Sequence, residues 1–465
     1  MAQAGTVTEQ ATLVRRFGEH AAGLRYEALT PLAIVRAKQI TLDTLGTALG
    51  GFGKGFGPKV VEFTLRTHPG NAATLIGDGR RASIEGAAFA NASMAKMLGM
   101  DDSHRAYGHV AAEVFPAALA AAEAHRRNGR DLIVALAAAY DVYGRIGRQV
   151  RRPHLDRGFD IKATVGTIGS AVAAALGMGL DAGGVTHAIA IATSLSCGLE
   201  TYVYDPANSD TKDLISGFGS RNGVFAAQLA AAGFRGARGA IEGPNGFGQA
   251  FGNGFSVENA LAGLGKTFEI ETAGFKPHAG CRHVHQGFDA AREVAKQAAI
   301  DPAAVARVDV GTYHHAIDAP FRRTVTPANS AEAGYSLPTA VAIGLVFSSF
   351  YAEDIARFDD PRVRALLPKM HLAVDERIQS HYPDWNGCVV RVTLQDGRTI
   401  ESRLDHAKGE PENMLTDDEF DAKLRFAVGG LLPEAQLRNL VSAVAALEDV
   451  ADVGTLLRLA TRTAP

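Results

Sequence analysis

Residues 389–403 read Val-Val-Arg-Val-Thr-Leu-Gln-Asp-Gly-Arg-Thr-Ile-Glu-Ser-Arg, and this stretch decides the fold class. Val389 to Leu394 alternates as a strand, Gln395-Asp396-Gly397 is a hairpin turn, and Thr399 to Arg403 runs back. Upstream, 307–313 alternates in the same way, and helical patterns over 286–298, 336–347 and 360–367 lie between. Residues 266–408 therefore read as a small α+β unit with a short antiparallel sheet.

On both sides of that unit the pattern is helical. It starts near Thr8, and Thr30-Pro31 places a capping hydroxyl before a proline to open a helix over 31–49. Ser83 opens another, 116–127 and 131–150 pair through Asn128-Gly129, and 164–178, 181–193 and 221–232 follow. After Lys408, Thr416-Asp-Asp-Glu419 is a capping box and 433–446 a late helix. The expected fold is mostly α: a large all-helical domain from 1–265 and 409–465, with the α+β domain 266–408 inserted.

Composition narrows the function. Lys and Arg number 47 against 50 Asp and Glu, a net charge of −3, which gives no support to a nucleic-acid binder. The three cysteines, Cys197, Cys281 and Cys388, form no Cys-x-x-Cys, which argues against an iron–sulfur cluster or structural zinc of ordinary spacing. Met1 to Gln10 shows no basic start and no apolar stretch, and the longest apolar runs fall well short of the ~20 residues that span a bilayer. A cytoplasmic protein without a membrane partner is expected. The 51 glycines and many alanines speak only for close helix packing.

Some motifs are decoys. Gly265-Lys266-Thr267 resembles the end of a P-loop, but the required upstream glycine falls on Ala260 and no strand precedes it. The glycine-rich 51–57 follows a helix rather than a strand, so it reads as a flexible loop and not as a dinucleotide turn. His283-x-His285 lacks an obvious carboxylate companion in sequence, and it and His314-His315 read as surface or substrate contacts rather than a metal site.

Three segments carry dense charge inside apolar surroundings. They are Asp101-Asp102-Ser103-His104-Arg105-Ala106-Tyr107-Gly108-His109, then Asn208 to Asp213 around Lys212, then Lys276-Pro277-His278-Ala279-Gly280-Cys281-Arg282-His283. Lys212 is the one Lys or Arg between Lys162 and Arg221. A histidine in the first could move protons near neutral pH, and the cations of the third suit carboxylates, Arg282 by its fork. Each also reads as a solvated loop.

In order and spacing, these segments resemble the MmgE/PrpD family, which includes 2-methylcitrate dehydratase, cis-aconitate decarboxylase and iminodisuccinate epimerase. Phe89-Ala-Asn91 leading to Asp101-Asp102-Ser103-His104 looks like the family's "ANG…DFDDTH", and His109 matches its second histidine. Gly158-Phe159 through Thr164 and Gly166 is similar to "GFHPTGTxG", and Thr211-Lys212 fits "TK" of "MTKRLHPG". Lys276-Pro277 to Arg282 fits "KPYPxCR", and Lys408-Gly409-Glu410-Pro411-Glu412-Asn413-Met414-Leu415-Thr416 is close to "KGxPxNPLT". The resemblance implies a homodimer with a site between two domains, a polycarboxylate substrate and neither metal nor organic cofactor.

The chain departs from the pattern at Gly99, where dehydratase-like and decarboxylase-like members carry aspartate, at Asp160, where they carry histidine, and at Leu214 to Gly217. Fewer dehydrating groups beside a retained carboxylate grip point to a reaction with less bond breaking. The expected activity is therefore cofactor-independent epimerisation of an iminodisuccinate-like polycarboxylate, with a lyase on a tricarboxylate as the alternative. His109 and Lys212 are the expected proton-transfer groups. Asp101, Asp102, Ser103, His104, Lys276, His278 and Arg282 are the expected substrate-binding set.

Overall fold

The computed structural model describes residues 12–298 and 300–462; the readings of Met1 to Gln10 and of a helical start at Thr8 lie outside them. The architecture is mostly helical with small sheets. Capping chemistry starts the helices where the sequence signals it. Thr30 Oγ1 accepts from Ala33 N at 3.0 Å ahead of Pro31–Lys54, and Ser83 Oγ accepts from Gly86 N at 3.1 Å ahead of Ile84–Met97. Thr416 and Glu419 close a reciprocal capping box at the start of Asp417–Val428.

Several expected boundaries move, three of them for a reason of packing or capping. Pro31–Lys54 runs through Gly50 and Gly51, which the sequence suggested as loop, and a second helix, Gly57–Thr67, follows. A Cβ on Gly51 would stand 2.0 Å from Met94 O, so the glycines are a seam against Ile84–Met97. Thr211–Ala231 starts ten residues before the expected 221, because Gly217 lies where a Cβ would meet Ser93 Oγ at 2.3 Å. Ala111–Ala124 begins upstream of Pro116, which sits inside the helix, because Asp102 Oδ1 accepts from Val110 N and Ala111 N at 3.1 and 2.9 Å.

The larger sheet has the order Met370–Val374, Val305–Thr312, Cys388–Leu394, Thr399–Leu404. Its first pair is parallel and the others antiparallel, so the sheet is mixed and not the purely antiparallel one expected. Met370–Val374 is an edge strand whose residues are all partly or fully exposed, which leaves no apolar alternation to read. Arg282–Gln297 and Leu337–Val346 pack with this sheet through Phe288, Val341, Val308 and Val390 in one buried cluster.

A second, larger cluster gathers residues from Leu13 to Phe275 together with Leu415 to Ala460. A two-residue ladder stitches the site loops: Asp102 pairs with Phe275 and Ser103 with Gly274. Among the described residues, no helix is long and apolar enough to cross a membrane.

Candidate active site

The Asp102–Ser103 and Gly274–Phe275 ladder sets the loop carrying His109 beside the turn carrying Lys276. Next to it opens a cavity of about 490 Å³, a size suited to a small molecule. Its lining holds nine Lys and Arg side chains, including Lys96, Arg151, Lys162, Lys212, Lys276 and Arg322, against four carboxylates, Asp156, Asp160, Glu200 and Asp318. A chain with net charge −3 therefore concentrates positive charge around one hollow.

Behind one part of the lining stands Asp101. Its Oδ2 lies 2.7 Å from Lys96 Nζ and 2.8 Å from His109 Nδ1, and its Oδ1 lies 3.9 Å from Lys276 Nζ. Burial works against its charge, but His109, Lys96 and Lys276 overcome that and hold Asp101 well below the carboxylate range. His109 Nδ1 also lies 2.6 Å from Asp102 O. Both neighbours of Nδ1 are acceptors, so the neutral ring carries its hydrogen there and keeps a lone pair on Nε2. Burial keeps the ring neutral, with its pKa pushed down to about 4 despite Asp101.

Lys276 Nζ donates to Gly280 O at 2.8 Å and is otherwise enclosed. Burial pushes it down to about 7; Asp101 pulls the other way, and Lys96 and Lys212 add to the fall. Lys276 can therefore hold or release a proton near neutral pH. Lys212 lines the same cavity from the first turn of Thr211–Ala231, 6.0 Å from the Tyr335 ring centroid, and forms no ion pair among the described residues.

The remaining expected residues separate into lining and support. Ser103, His104 and Arg282 line the cavity, whereas Asp101, Asp102 and His278 are set back from it. Asp102 caps Ala111–Ala124 and accepts from Tyr140 OH at 2.7 Å; burial and the Asp101 charge push it up to about 7. His104 has both nitrogens engaged: Nδ1 accepts from Ala106 N at 3.1 Å and Nε2 faces Thr272 Oγ1 at 2.9 Å, with Tyr107 stacked at 3.7 Å. His278 pairs with Asp289 at 2.9 Å. Arg282 does not offer a free fork, because Nε and Nη2 already donate to Glu410 Oε1 at 3.0 and 2.5 Å.

Sequence reasoning missed a second cluster in the lining. Lys162 Nζ lies 2.8 Å from Asp160 Oδ2 and 3.0 Å from Tyr202 OH, and that hydroxyl donates to Asp160 Oδ2 at 2.6 Å. Asp160 holds the charge on Lys162 against burial, well above the ordinary lysine value. Glu200, beside them, is pushed up to about 7 by burial and by Asp160. Lys96 was missed as well, although a lone lysine inside Ala92-Ser-Met-Ala-Lys96-Met97 is a visible signal.

Among the described residues one group could offer three metal ligands, Asp101, Asp102 and His109. Two ammonium groups already serve Asp101, and Asp102 is spent on the helix cap, so the donor set does not fit a cation. Of the paired histidines, His283 and His315 meet in the lining with ring centroids 4.8 Å apart, but each already has a partner, Tyr313 OH for His283 and Asp318 for His315, while His285 bonds Ala279 O.

Models of the MmgE/PrpD N-terminal and C-terminal domains match residues 15–260 and 278–449. The chain belongs to the MmgE/PrpD family. The C-terminal MmgE/PrpD match runs past Lys408 into the late helices. A cis-aconitate decarboxylase of Aspergillus terreus is 27% identical over 451 residues, 91% of each chain. A cis-aconitate decarboxylase of Homo sapiens is 28% identical over 460 residues, 94% of this chain and 92% of the relative. A cis-aconitate decarboxylase of Mus musculus is 27% identical over 463 residues, 94% and 91%. Family and relatives together support an enzyme.

Proposed function

We propose that this protein is a lyase that acts on a tricarboxylate, with decarboxylation of an unsaturated one such as cis-aconitate as the first reading. The observation that carries it is that Lys276, which can hold or release a proton near neutral pH, and the neutral base His109 hang on the same carboxylate, Asp101, beside a cation-rich cavity. Two groups gathered at one point suit proton delivery to, or removal from, one region of the substrate. In decarboxylation a carbon–carboxylate bond breaks, CO₂ leaves, and the electron pair stays on the carbon framework until a proton arrives. Lys276, part protonated near pH 7, supplies that proton, and neutral His109 takes a replacement from water through Nε2 and returns it to Lys276, so one proton is consumed in all. Lys212, Lys96 and Arg151 hold the spectator carboxylates.

This replaces Lys212 by Lys276 as the second proton-transfer group and moves the epimerase expectation to second place. The observation that favours the epimerase is Asp160: where the family pattern reads histidine, this chain carries an aspartate bound to Lys162 and Tyr202. The relatives named above favour the lyase.

Incubation with cis-aconitate and, separately, with iminodisuccinate in D₂O decides between them. CO₂ release with one deuterium in the decarboxylated product supports the lyase. Deuterium at the stereocentre of recovered iminodisuccinate, with neither CO₂ nor an unsaturated product, overturns it.

A further inference from the structure

Residues 408–412, Lys-Gly-Glu-Pro-Glu, lie outside the cavity lining yet bind both loops that carry the acid–base groups. Gly409 O accepts from Phe275 N at 2.8 Å, at one end of the turn bearing Lys276. At the other end Arg282 donates Nε and Nη2 to Glu410 Oε1, and Nη1 to Lys408 O at 3.0 Å. Asn386 Nδ2 adds a contact to the same Glu410 oxygen at 3.3 Å. Gly409 adopts φ +86°, and a Cβ there would fall 1.8 Å from Phe275 O, so a residue without a side chain is needed for this approach. Glu412 grips the first loop by accepting from Arg105 Nη1 and Nη2 at 2.8 and 2.7 Å.

We propose that Glu410 is a positioning residue: by holding Arg282 at the start of Arg282–Gln297, it keeps the 275–282 turn closed and the Lys276 ammonium enclosed against Asp101. The proposal rests on the reading of Lys276 as a proton-transfer group. The charged groups that face Lys276 are Asp101, Lys96 and His109 from the first loop and its helix, Asp43 from Pro31–Lys54, and Lys212 from Thr211–Ala231. Cys281 and His285 face it from its own side. The hydrogen bonds of Glu410's carboxylate go to Arg282 and Asn386 and not to any of these groups, so its influence on Lys276 is geometric. Glu410 is 1% exposed, and without its charge the Arg282 guanidinium keeps only neutral acceptors, Lys408 O and His285 Nδ1, where it had a carboxylate. The turn then loosens, water reaches Lys276, and the burial that lowers its pKa is relieved.

Competitive acetylation with acetic anhydride from pH 6 to 10, quantified at each lysine by mass spectrometry, reads the Lys276 titration without any substrate. In Glu410→Gln the Lys276 midpoint should rise by about one pH unit or more while Lys212 stays in place. Turnover should fall about tenfold or more through misplacement alone. Glu410→Asp should recover part of the midpoint, and Glu412→Gln, which cuts the more exposed pair, should leave it unmoved. If Glu410→Gln does not fold, Arg282→Lys, which keeps the charge and loses the fork, must give the same rise. A folded Glu410→Gln or Arg282→Lys protein with an unchanged Lys276 midpoint overturns the proposal, as does an equal rise in Glu412→Gln. A wild-type Lys276 midpoint near 10 overturns the acid–base reading itself and the proposal with it.

Discussion

Two buried aspartates meet buried lysines in this cavity wall, with opposite results. Around Asp160 one lysine has that carboxylate and a tyrosine hydroxyl to itself, with Glu200 and Glu113 adding their charge, and Lys162 stays charged. Around Asp101 three nitrogens share one carboxylate: Lys96 at 2.7 Å and His109 at 2.8 Å take Oδ2, and Lys276 is left 3.9 Å from Oδ1. Lys276 is as buried as Lys162 yet falls to about 7. Burial alone does not set the charge state of a lysine here; the balance of carboxylates and competing cations around it does. The shared aspartate produces an acid–base group, and the unshared one produces a fixed charge.

Asp101→Asn should break the comparison most severely. It takes the counter-charge at Asp101 from the enclosed Lys96 and Lys276 and disturbs one of the two acceptors that fix the His109 tautomer. Turnover of the tricarboxylate should fall by about 10³-fold or more, since both proton-transfer groups are disturbed. Stability in a urea titration should drop by about 3–5 kcal/mol, the cost of stranding a buried partner. Near wild-type turnover in a folded Asp101→Asn protein would end the idea that this carboxylate organises the site.

The two lysines should then separate activity from stability. Lys276→Met should lower turnover by about 10²-fold. Its effect on stability follows from sign: the folded-state pKa of about 7 lies below the ordinary value, so the native state carries the cost of a buried ammonium at and below pH 7. That cost shrinks by about 1.4 kcal/mol per pH unit as pH rises from 7 towards the ordinary lysine value. Lys276→Met should match or exceed wild-type stability at pH 6–7 and lose that advantage by pH 9–10. Lys162→Met should do the reverse, costing about 3–5 kcal/mol because it strands Asp160. Equal stability losses at pH 7 would erase the distinction between the two clusters.

How much of this could be read in the sequence follows the range of the forces involved. Caps at Thr30, Ser83 and Thr416 act within four residues and were legible, as was the hairpin at Gln395 to Gly397. The helical course of Gly50 and Gly51 and the early start at Thr211 depend on contacts with Met94 and Ser93, far along the chain, and were not. In the site, His109 stood out because charge crowds its loop. The acid–base role went to Lys212 rather than Lys276 because only three-dimensional packing brings Lys96 and His109 to Asp101 and leaves Lys276 underpaired. Arg282 showed its fork in the sequence but not its partner, since Glu410 joins it from across the chain.

The smallest effect tests how self-sufficient the Asp160 pair is. Tyr202 OH donates to Asp160 Oδ2 at 2.6 Å and accepts from Lys162 Nζ at 3.0 Å, so Tyr202→Phe removes one hydrogen bond from each charged partner. The direct Lys162–Asp160 contact at 2.8 Å survives, and Asp160 Oδ1 keeps the Lys162 backbone N–H at 2.9 Å. A hydroxyl bridging two charges that retain each other should cost about 1–3 kcal/mol, less than losing the lysine. Lys162 should remain charged, and competitive acetylation should show no titration of it below pH 10. Turnover should stay within about threefold of wild type, because no proton-transfer group is touched. If Tyr202→Phe instead brought Lys162 into titration near neutral pH, the hydroxyl and not the carboxylate would hold that charge, and the contrast with Asp101 would have to be rebuilt on hydrogen bonding.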